Sequence, residues 1–213
     1  SSDVCSSDLS LVFILDMEEK FMEYISGEEF VKYLEKKEIP PAPPEGCTLN
    51  GNILDIKSIY QYGVMGAVRN FGMFAIVDQV WTTELAKWID SKRCLEVMAG
   101  AGWLSKALQE QGIDIIPTDN GSWDKIVERQ IIPVEKLNGL DAVKKYSNYD
   151  VLVVSWPDYD REEICEICQE WGPNKPIIYI GESMYGCTAC DKFFDHFQID
   201  PNFDEESIPM MVW

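Results

Sequence analysis

The residues whose types and spacing point most directly to chemistry lie in the stretch from Leu95 to Leu104. An acid, Glu96, lies in a short apolar run, and two glycines, Gly100 and Gly102, follow with one residue between them. Glycine has no Cβ, so the backbone of such a turn can approach a ligand closely. The helix predicted to begin at Leu104 would present unpaired N–H groups to a negative or polar ligand group. The pattern predicts a turn that contacts a bound ligand.

A second acid, Asp119, ends the next apolar run, seventeen residues after Gly102. This distance fits a strand–helix–strand unit whose second strand delivers a carboxylate to ribose hydroxyls. The dinucleotide fingerprint needs a third glycine, but Ser105 stands there, and that fingerprint does not call for Glu96. We therefore predict a nucleoside ligand and rank a nicotinamide-dependent oxidoreductase third among the functions considered.

The order of acid, Gly-x-Gly, aromatic residue and helix resembles motif I of the class I S-adenosylmethionine-dependent methyltransferases. The resemblance implies that Glu96 lies near the methionine end of S-adenosylmethionine. It also implies that Gly100 and Gly102 form the cofactor loop and that Asp119 holds the ribose. Met98 stands where the family usually has glycine.

Further segments resemble a little-characterised methyltransferase-like group over about residues 60–197. They are Asn70–Ile76, Tyr149–Tyr159 with a Trp-Pro turn, and Ile177–Phe194 with Gly-Glu and Gly-Cys-Thr sequences. Asp158 replaces the second proline of that turn, and Cys190 stands where an acid is expected. The resemblance implies the class I methyltransferase fold and S-adenosylmethionine as cofactor, and it leaves the methyl acceptor open.

The turn Ser155-Trp156-Pro157-Asp158-Tyr159 is where many relatives in that family hold the acceptor. On this resemblance Ser155 and Trp156 contact the cofactor, and Pro157 and Tyr159 contact the substrate. Asp158 is the candidate base, which is useful when the acceptor is an amine or a hydroxyl. The alternative is a proline-containing strand exit closed by an aromatic side chain.

Four more residues near the predicted strand ends are candidates for the site. Glu182 ends an apolar strand, where a carboxylate lacks partners unless it faces a cleft, so we predict a catalytic role, with a structural hydrogen bond as the alternative. Asn120 follows the ribose acid and is predicted to contact the cofactor, as is Ala99 within the turn. Trp103 is predicted to pack over the cofactor, with simple core packing as the alternative.

The cysteines and the single histidine are weaker candidates for chemistry. Cys165 and Cys168 form one Cys-x-x-Cys pair, Cys187 and Cys190 a second, and this spacing is within that of zinc sites. The first pair lies in a predicted helix among apolar residues, where free cysteine behaves as a small apolar side chain. We predict no metal, with structural zinc as the alternative. His196 is predicted to be a packing residue, which excludes a histidine-based triad.

Composition limits the partners. The chain has 213 residues, with 18 basic and 37 acidic side chains, so it is long enough for a core of its own and acidic enough to repel a phosphate backbone. Nucleic acid is therefore not expected as a partner. Seven cysteines, an odd number, favour reduced thiols in a cytoplasm over a disulfide framework. No apolar run approaches the roughly 20 residues of a membrane span. The sequence does not indicate the oligomeric state.

Strands and helices alternate from about Arg93, which predicts an α/β fold: a doubly wound, Rossmann-like, mostly parallel sheet. The predicted strands are 94–98, 113–118, 130–134, 150–155 and 176–181. The predicted helices are 104–111, 122–129, 136–146, 160–171 and 188–197. Ligands of such sheets bind beyond the carboxyl ends of the strands, near the switch in strand order, where Glu96, Asp119 and Glu182 are predicted to lie.

The chain before this alternating region is divided into two parts. Residues 1–9 look foreign and resemble a translated sequencing adapter, so we interpret them as non-native. Residues 10–59 are predicted to be a helical arm and a Pro-rich linker. The arm is predicted to contain two short helices, the second capped by Ser26 and supported by Glu29. Residues 60–213 are the predicted methyltransferase-like domain. The family's sheet ends in an antiparallel hairpin, for which only 208–213 remain, so we expect a truncated C-terminus.

The predicted function is S-adenosylmethionine-dependent methyl transfer to a small-molecule or protein acceptor. The alternative is a non-catalytic protein of the same fold that binds or regulates. Glu96, Asp119 and Glu182 favour the enzyme, whereas Met98 and the irregular acceptor turn favour the alternative.

Overall fold

The structure, a computed structural model, describes residues 10–13, 24–45, 66–123, 125–159, 161–181, 188–196 and 198–199. Its strands are β1 (Ser10–Phe13), β2 (Cys94–Val97), β3 (Ile115–Asp119), β4 (Glu135–Lys136), β5 (Val151–Ser155), β6 (Ile177–Ile180) and β7 (Gln198–Ile199). Its helices are α1 (Gly27–Glu35), α2 (66–70), α3 (Gln79–Ile89), α4 (Trp103–Glu110), α5 (Ile126–Arg129), α6 (Gly139–Lys145), α7 (Glu163–Trp171) and α8 (Asp191–His196).

The strands form one sheet in the order β4-β3-β2-β5-β6-β1-β7, and every recorded strand pair is parallel. The prediction of an α/β protein with a mostly parallel sheet is therefore confirmed, and the arrangement is compatible with a Rossmann-like fold. Beyond β6 the described sheet continues with two short parallel strands rather than an antiparallel hairpin. The C-terminal segment 208–213 lies outside the described residues.

Alternate side chains of the central strands enter two separate buried clusters. Cys94, Val151 and Val153 pack in a cluster with residues of α3 and α4. Their neighbours along the strands, such as Leu95 and Leu152, pack in a second cluster with residues of α6, α7 and α8. Because successive strand side chains point to opposite faces, this division means that helices cover both faces of the sheet.

The strand order reverses between β2 and β5. From β2 the chain moves outward through β3 to β4, and it then returns to place β5 on the other side of β2. Glu96 is in register with Val153, and Val97 with Val154, so the two strands end side by side. Such a reversal leaves a crevice at the carboxyl ends of the strands, where ligands of open parallel sheets bind.

One predicted strand is wrong. Residues 130–134 form no strand, and the short strand β4 follows them, pairing Glu135 with Thr118. Pro133 has no N–H to donate to a ladder, and the side chains of Ile132 and Val134 instead pack beside Gly102. The other predicted strands and helices of this region match observed elements, with ends that differ by a few residues. One helix is clearly shorter than predicted: of the helix predicted over 122–129, only α5 is observed.

Of the N-terminal segment 10–59, Ser10–Phe13 form β1 inside the sheet, and α1 packs on the same core. The Ser26 hydroxyl accepts a bond from the Glu29 N–H at 3.2 Å, which confirms the predicted cap of α1. Phe30 and Leu34 belong to the buried cluster that also contains α3 and α4 residues. The helix predicted before Ser26 lies mostly outside the described residues. None of the helices in the described ranges is long and apolar enough to cross a bilayer.

The two predicted cysteine pairs are partly brought together. The Sγ atoms of Cys165, in α7, and Cys190, before α8, lie 3.8 Å apart in the second buried cluster. Burial, together with the neighbouring Cys190 thiol, raises the pKa of Cys165 to about 12, so Cys165 favours the thiol form. No group of three possible metal ligands gathers among the described residues, which do not include Cys187. The zinc alternative therefore gains no further support within these residues.

Candidate functional site

A cavity of about 310 Å³ lies at the carboxyl ends of β2, β3 and β5. This volume is at the lower end of the range for small-molecule sites. Seven of the residues predicted for the site line it: Gly100, Asp119, Asn120, Trp156, Pro157, Asp158 and Tyr159. The sheet therefore brings together the turn after β2, the end of β3 and the turn after β5, which are distant in sequence.

A smaller recess of about 20 Å³ shares the walls Met98 and Phe74 with this cavity. Ala99, Trp103 and Ser155, all predicted cofactor contacts, line the recess rather than the cavity. The Trp103 ring is buried, and its Nε1–H donates to the carbonyl of Phe71 at 2.9 Å. This contact corresponds to the core-packing alternative for Trp103.

The two strands that flank the reversal end in the same unusual backbone conformation. Met98, directly after β2, has φ 58°, and Trp156, directly after β5, has φ 54°. Left-handed backbone is uncommon for residues other than glycine and is often retained at functional sites. At Met98 it also gives a physical reason for the glycine that the methyltransferase family usually has there.

Asp119 fixes the two turns that border the cavity. One carboxylate oxygen accepts a bond from the Gly100 N–H at 2.9 Å, and the other accepts one from the Gly121 N–H at 2.7 Å. The residue is 9% exposed and lines the cavity. A carboxylate offers about four lone-pair sites, so each oxygen retains acceptor capacity for hydroxyls of a bound ligand.

Glu96 is buried and lines neither the cavity nor the recess. It accepts hydrogen bonds from the Ser105 hydroxyl and from the Ser105 N–H, in the first turn of α4. The preceding Gly102 supplies no side-chain cap, so Glu96 caps this helix from the neighbouring strand. The Ser105 N–H therefore faces Glu96 rather than a ligand, and ligand contact by the other N–H groups of this helix terminus stays a prediction.

Burial also changes the charge of Glu96. Removal from water raises its pKa from 4.5 to about 8, and the nearby Asp119 carboxylate adds to this rise, whereas the bonds from Ser105 oppose it. The carboxyl group is therefore mostly protonated at neutral pH. The neutral Glu96 side chain, hydrogen-bonded to Ser105, holds β2 against α4.

The two glycines of the turn serve different purposes. A Cβ on Gly100 would lie 3.4 Å from the Gly72 carbonyl, an ordinary contact distance, and this residue lines the cavity. A Cβ on Gly102 would lie 2.7 Å from Ile132 Cγ1, where no real Cβ fits. Gly102 is therefore required by packing of the β3–β4 connection against the turn, and it lines neither cavity.

The crowding at Gly102 can be measured with a matched pair of substitutions. Gly102 and Gly112 both have φ +86°, but nothing lies within 4 Å of a Cβ on Gly112. We expect Gly112→Ala to lower the free energy of unfolding by about 1 kcal/mol through backbone strain alone, and Gly102→Ala by about 3 kcal/mol because crowding is added. Urea denaturation of both variants gives the two values. Equal losses would show that Ile132 does not restrict this position.

Aromatic side chains form one side of the cavity. The rings of Phe74 and Trp123 have centroids 5.4 Å apart and an interplanar angle of 56°. The Trp123 Nε1–H donates to Asp158 at 3.2 Å, so the ring is held beside the turn after β5. Trp123 is 55% exposed and Tyr159 63% exposed, which is unusual for large aromatic side chains and typical of surfaces that bind a partner or ligand.

Several lining residues were not predicted from the sequence. Arg69 and Phe74 precede the sheet, and Glu163 begins α7, yet all three line the cavity. Phe74 lay within a segment that carries the family resemblance, which was the available signal for it. Arg69 and Glu163 had none, because neither follows a predicted strand. Glu182 lies outside the described residues, as does the side chain of His196.

Charged groups around the cavity are unequal in sign. Among the described residues, its lining contains the carboxylates of Asp119, Asp158 and Glu163 and the guanidinium of Arg69. Arg161 lies outside the lining and approaches Asp158 at 3.4 Å. The lining therefore favours a ligand that carries positive charge over one with several phosphates.

Comparison with family models, with curated proteins and with solved structures found no match to this chain.

Proposed function

We propose that this chain is an S-adenosylmethionine-dependent methyltransferase whose cofactor binds in the cavity between β2, β3 and β5. The observation that carries the proposal is the position of Asp119, which lies at the end of β3 beside the reversal in strand order. A carboxylate at this point of a parallel sheet is suited to two neighbouring ribose hydroxyls.

The donor set of the cavity fits the rest of that cofactor. Phe74 and Trp123 offer ring faces to a planar base. The excess of carboxylates is compatible with a sulfonium and an ammonium group, and it is unfavourable for the pyrophosphate of a nicotinamide dinucleotide. When bound, the cofactor would supply an activated methyl group. The chain's own task is then to orient the acceptor and to exclude water.

Within this proposal the acceptor turn faces the cofactor from β5. Pro157 is buried and stiffens the turn, while Tyr159 offers an exposed ring. Asp158 already accepts a bond from Trp123, so its first role is to hold this ring in place, while its pair with the exposed Arg161 is weak. A proton from an amine or hydroxyl acceptor could still pass to its remaining lone pairs.

The second candidate function is a non-catalytic protein that binds a nucleoside through the same cavity. Two observations favour it: Glu96 is used to cap α4, and the carboxylate of Asp158 already accepts a bond from Trp123. A regulatory protein needs the ribose acid but neither a base nor a free helix terminus.

Titration calorimetry with S-adenosylmethionine, S-adenosylhomocysteine and NADH tests the proposal. We expect heat from both adenosyl compounds, with dissociation constants in the micromolar range or tighter, and none from NADH. Incubation with isotopically labelled cofactor in a cell extract then separates the two functions, since only an enzyme transfers label. Heat from NADH alone would favour the oxidoreductase and overturn the proposal.

A further inference from the structure

The mouth of the cavity has a composition that selects one class of acceptor. Two of the three large apolar side chains that are exposed among the described residues, Trp123 and Tyr159, border this cavity. Two carboxylates, Asp158 and Glu163, line the same cavity. Exposed aromatic faces beside carboxylates are the combination that binds organic cations.

We infer that the acceptor is a planar ring system that carries a positive charge, bound between these aromatic side chains and the carboxylates of Asp158 and Glu163. The methyl group would pass to a separate, uncharged atom of the acceptor that has a lone pair, as the bond from methyl to the sulfonium sulfur breaks. This inference rests on the proposed function, because it treats the cavity mouth as the acceptor site. It adds Glu163, which no sequence motif indicated, as a residue that determines specificity.

The geometry ties the two types of group together. The bond from Trp123 Nε1–H to Asp158 holds the indole edge against the carboxylate, so a cation above the ring is also close to a negative charge. The opposing cations are Arg69, in the lining, and Arg161, which pairs with Asp158 but is 68% exposed at its side chain. A pair as exposed as this is weak, so it leaves most of the field of Asp158 at the cavity mouth.

The acidity of the whole chain also favours the binding of cations. The formal net charge is −19, which attracts cations and repels anions before any contact forms. This general field does not distinguish one acidic surface from another. The test must therefore separate the two carboxylates of the cavity from the overall charge.

Three indole compounds of similar size serve as probes: tryptamine, a cation, tryptophol, which is neutral, and indole-3-propionate, an anion. Calorimetry on the full chain at low ionic strength, with and without S-adenosylhomocysteine, gives their affinities. We expect tryptamine to bind about tenfold more tightly than tryptophol, and indole-3-propionate to bind most weakly. We also expect high salt to reduce the preference for tryptamine.

The double variant Asp158→Asn/Glu163→Gln is expected to lower the affinity for tryptamine to that for tryptophol, while tryptophol changes by less than about twofold. The control Glu166→Gln/Glu170→Gln removes two exposed charges from α7 outside the cavity lining and should leave the preference intact. Equal binding of tryptamine and tryptophol to the unmodified chain would overturn the inference. So would an equal loss in the control, because the preference would then reflect net charge alone.

The probes also separate this inference from the proposed function. If S-adenosylhomocysteine gives heat but the indoles bind equally, the inference fails and the methyltransferase proposal stands. If S-adenosylhomocysteine gives none and the tryptamine preference persists, the proposed function fails and the cavity is a cation-binding site of another kind.

Discussion

Replacing Asp119 by alanine is expected to weaken the binding of S-adenosylhomocysteine by at least about 100-fold. The carboxylate holds the turns at Gly100 and Gly121 through their N–H groups, and in the proposed complex it also accepts the ribose hydroxyls. Hydrogen bonds to charged groups contribute about 1.5–3 kcal/mol each, so the loss of both hydroxyl contacts accounts for the expected change. Calorimetry of the variant measures it directly.

The same substitution also removes two hydrogen bonds that position the turns, so the stability of the variant must be measured together with its affinity. We expect the free energy of unfolding to fall by about 2 kcal/mol, which leaves the chain folded if its stability is typical of a domain. Asp114→Ala, an exposed acid just before the other end of β3, is the matched control and should change neither quantity appreciably. Unchanged affinity in a folded Asp119→Ala variant would remove the ribose site from this position.

Replacing Glu96 by glutamine is expected to change how stability depends on pH. Burial raises the pKa of Glu96 from 4.5 to about 8 in the folded chain, so the folded state keeps a proton that the unfolded state releases. Stability from this group is therefore highest below about pH 4.5, falls as the pH rises through the window to about 8, and is lost above it. The full change is of the order of 5 kcal/mol.

Glutamine has the shape of glutamic acid but does not ionise, so Glu96→Gln should be more stable than the unmodified chain above about pH 8 and have a flatter profile. It can still accept from the Ser105 N–H and donate to the Ser105 hydroxyl. Denaturant unfolding across this pH window measures both profiles. The exposed Glu110→Gln on α4 is the control for loss of a carboxylate. Parallel profiles for Glu96→Gln and the unmodified chain would show that Glu96 is ionised when folded.

A second buried acid, Asp78, also makes the free energy of unfolding fall as the pH rises. Asp78 caps α3 through one carboxylate oxygen, which accepts from the Val80 and Trp81 N–H groups, while the other has no hydrogen-bond partner among the described residues. Burial raises the pKa of Asp78 to about 7, although these two bonds oppose the rise. The Glu96→Gln profile should therefore retain a smaller fall in stability between about pH 4 and about 7.

Most of the sheet could be predicted because buried parallel strands read as short apolar runs that end at turn residues. Asp119 could be placed for the same reason, since the residue after such a run lies at the ligand-binding edge. For Glu96 the strand could be predicted from the sequence, but its hydrogen-bond partner could not. Strand alternation puts it on the same face as Cys94, toward α4, where Ser105 binds it. Which helix side chain meets a strand side chain depends on packing across the sheet.

Arg69, Phe74 and Glu163 could not be placed because they reach the cavity by tertiary packing rather than by following a strand. Phe74 is positioned by Gly72, whose missing Cβ would lie 2.8 Å from that of Ala101, so the preceding loop can approach the turn after β2. The strand predicted over 130–134 is wrong for a related reason, because Ile132 packs against Gly102 and does not join the sheet. Short apolar runs do not distinguish strands from packed loops.

The most direct measurement of the central proposal is a crystal structure of the chain grown with S-adenosylhomocysteine. We expect the ligand in the cavity of about 310 Å³, with both ribose hydroxyls within hydrogen-bond distance of the Asp119 carboxylate and the adenine beside Phe74 or Trp123. A ligand bound elsewhere, or a cavity filled by side chains of the protein at saturating ligand, would contradict it.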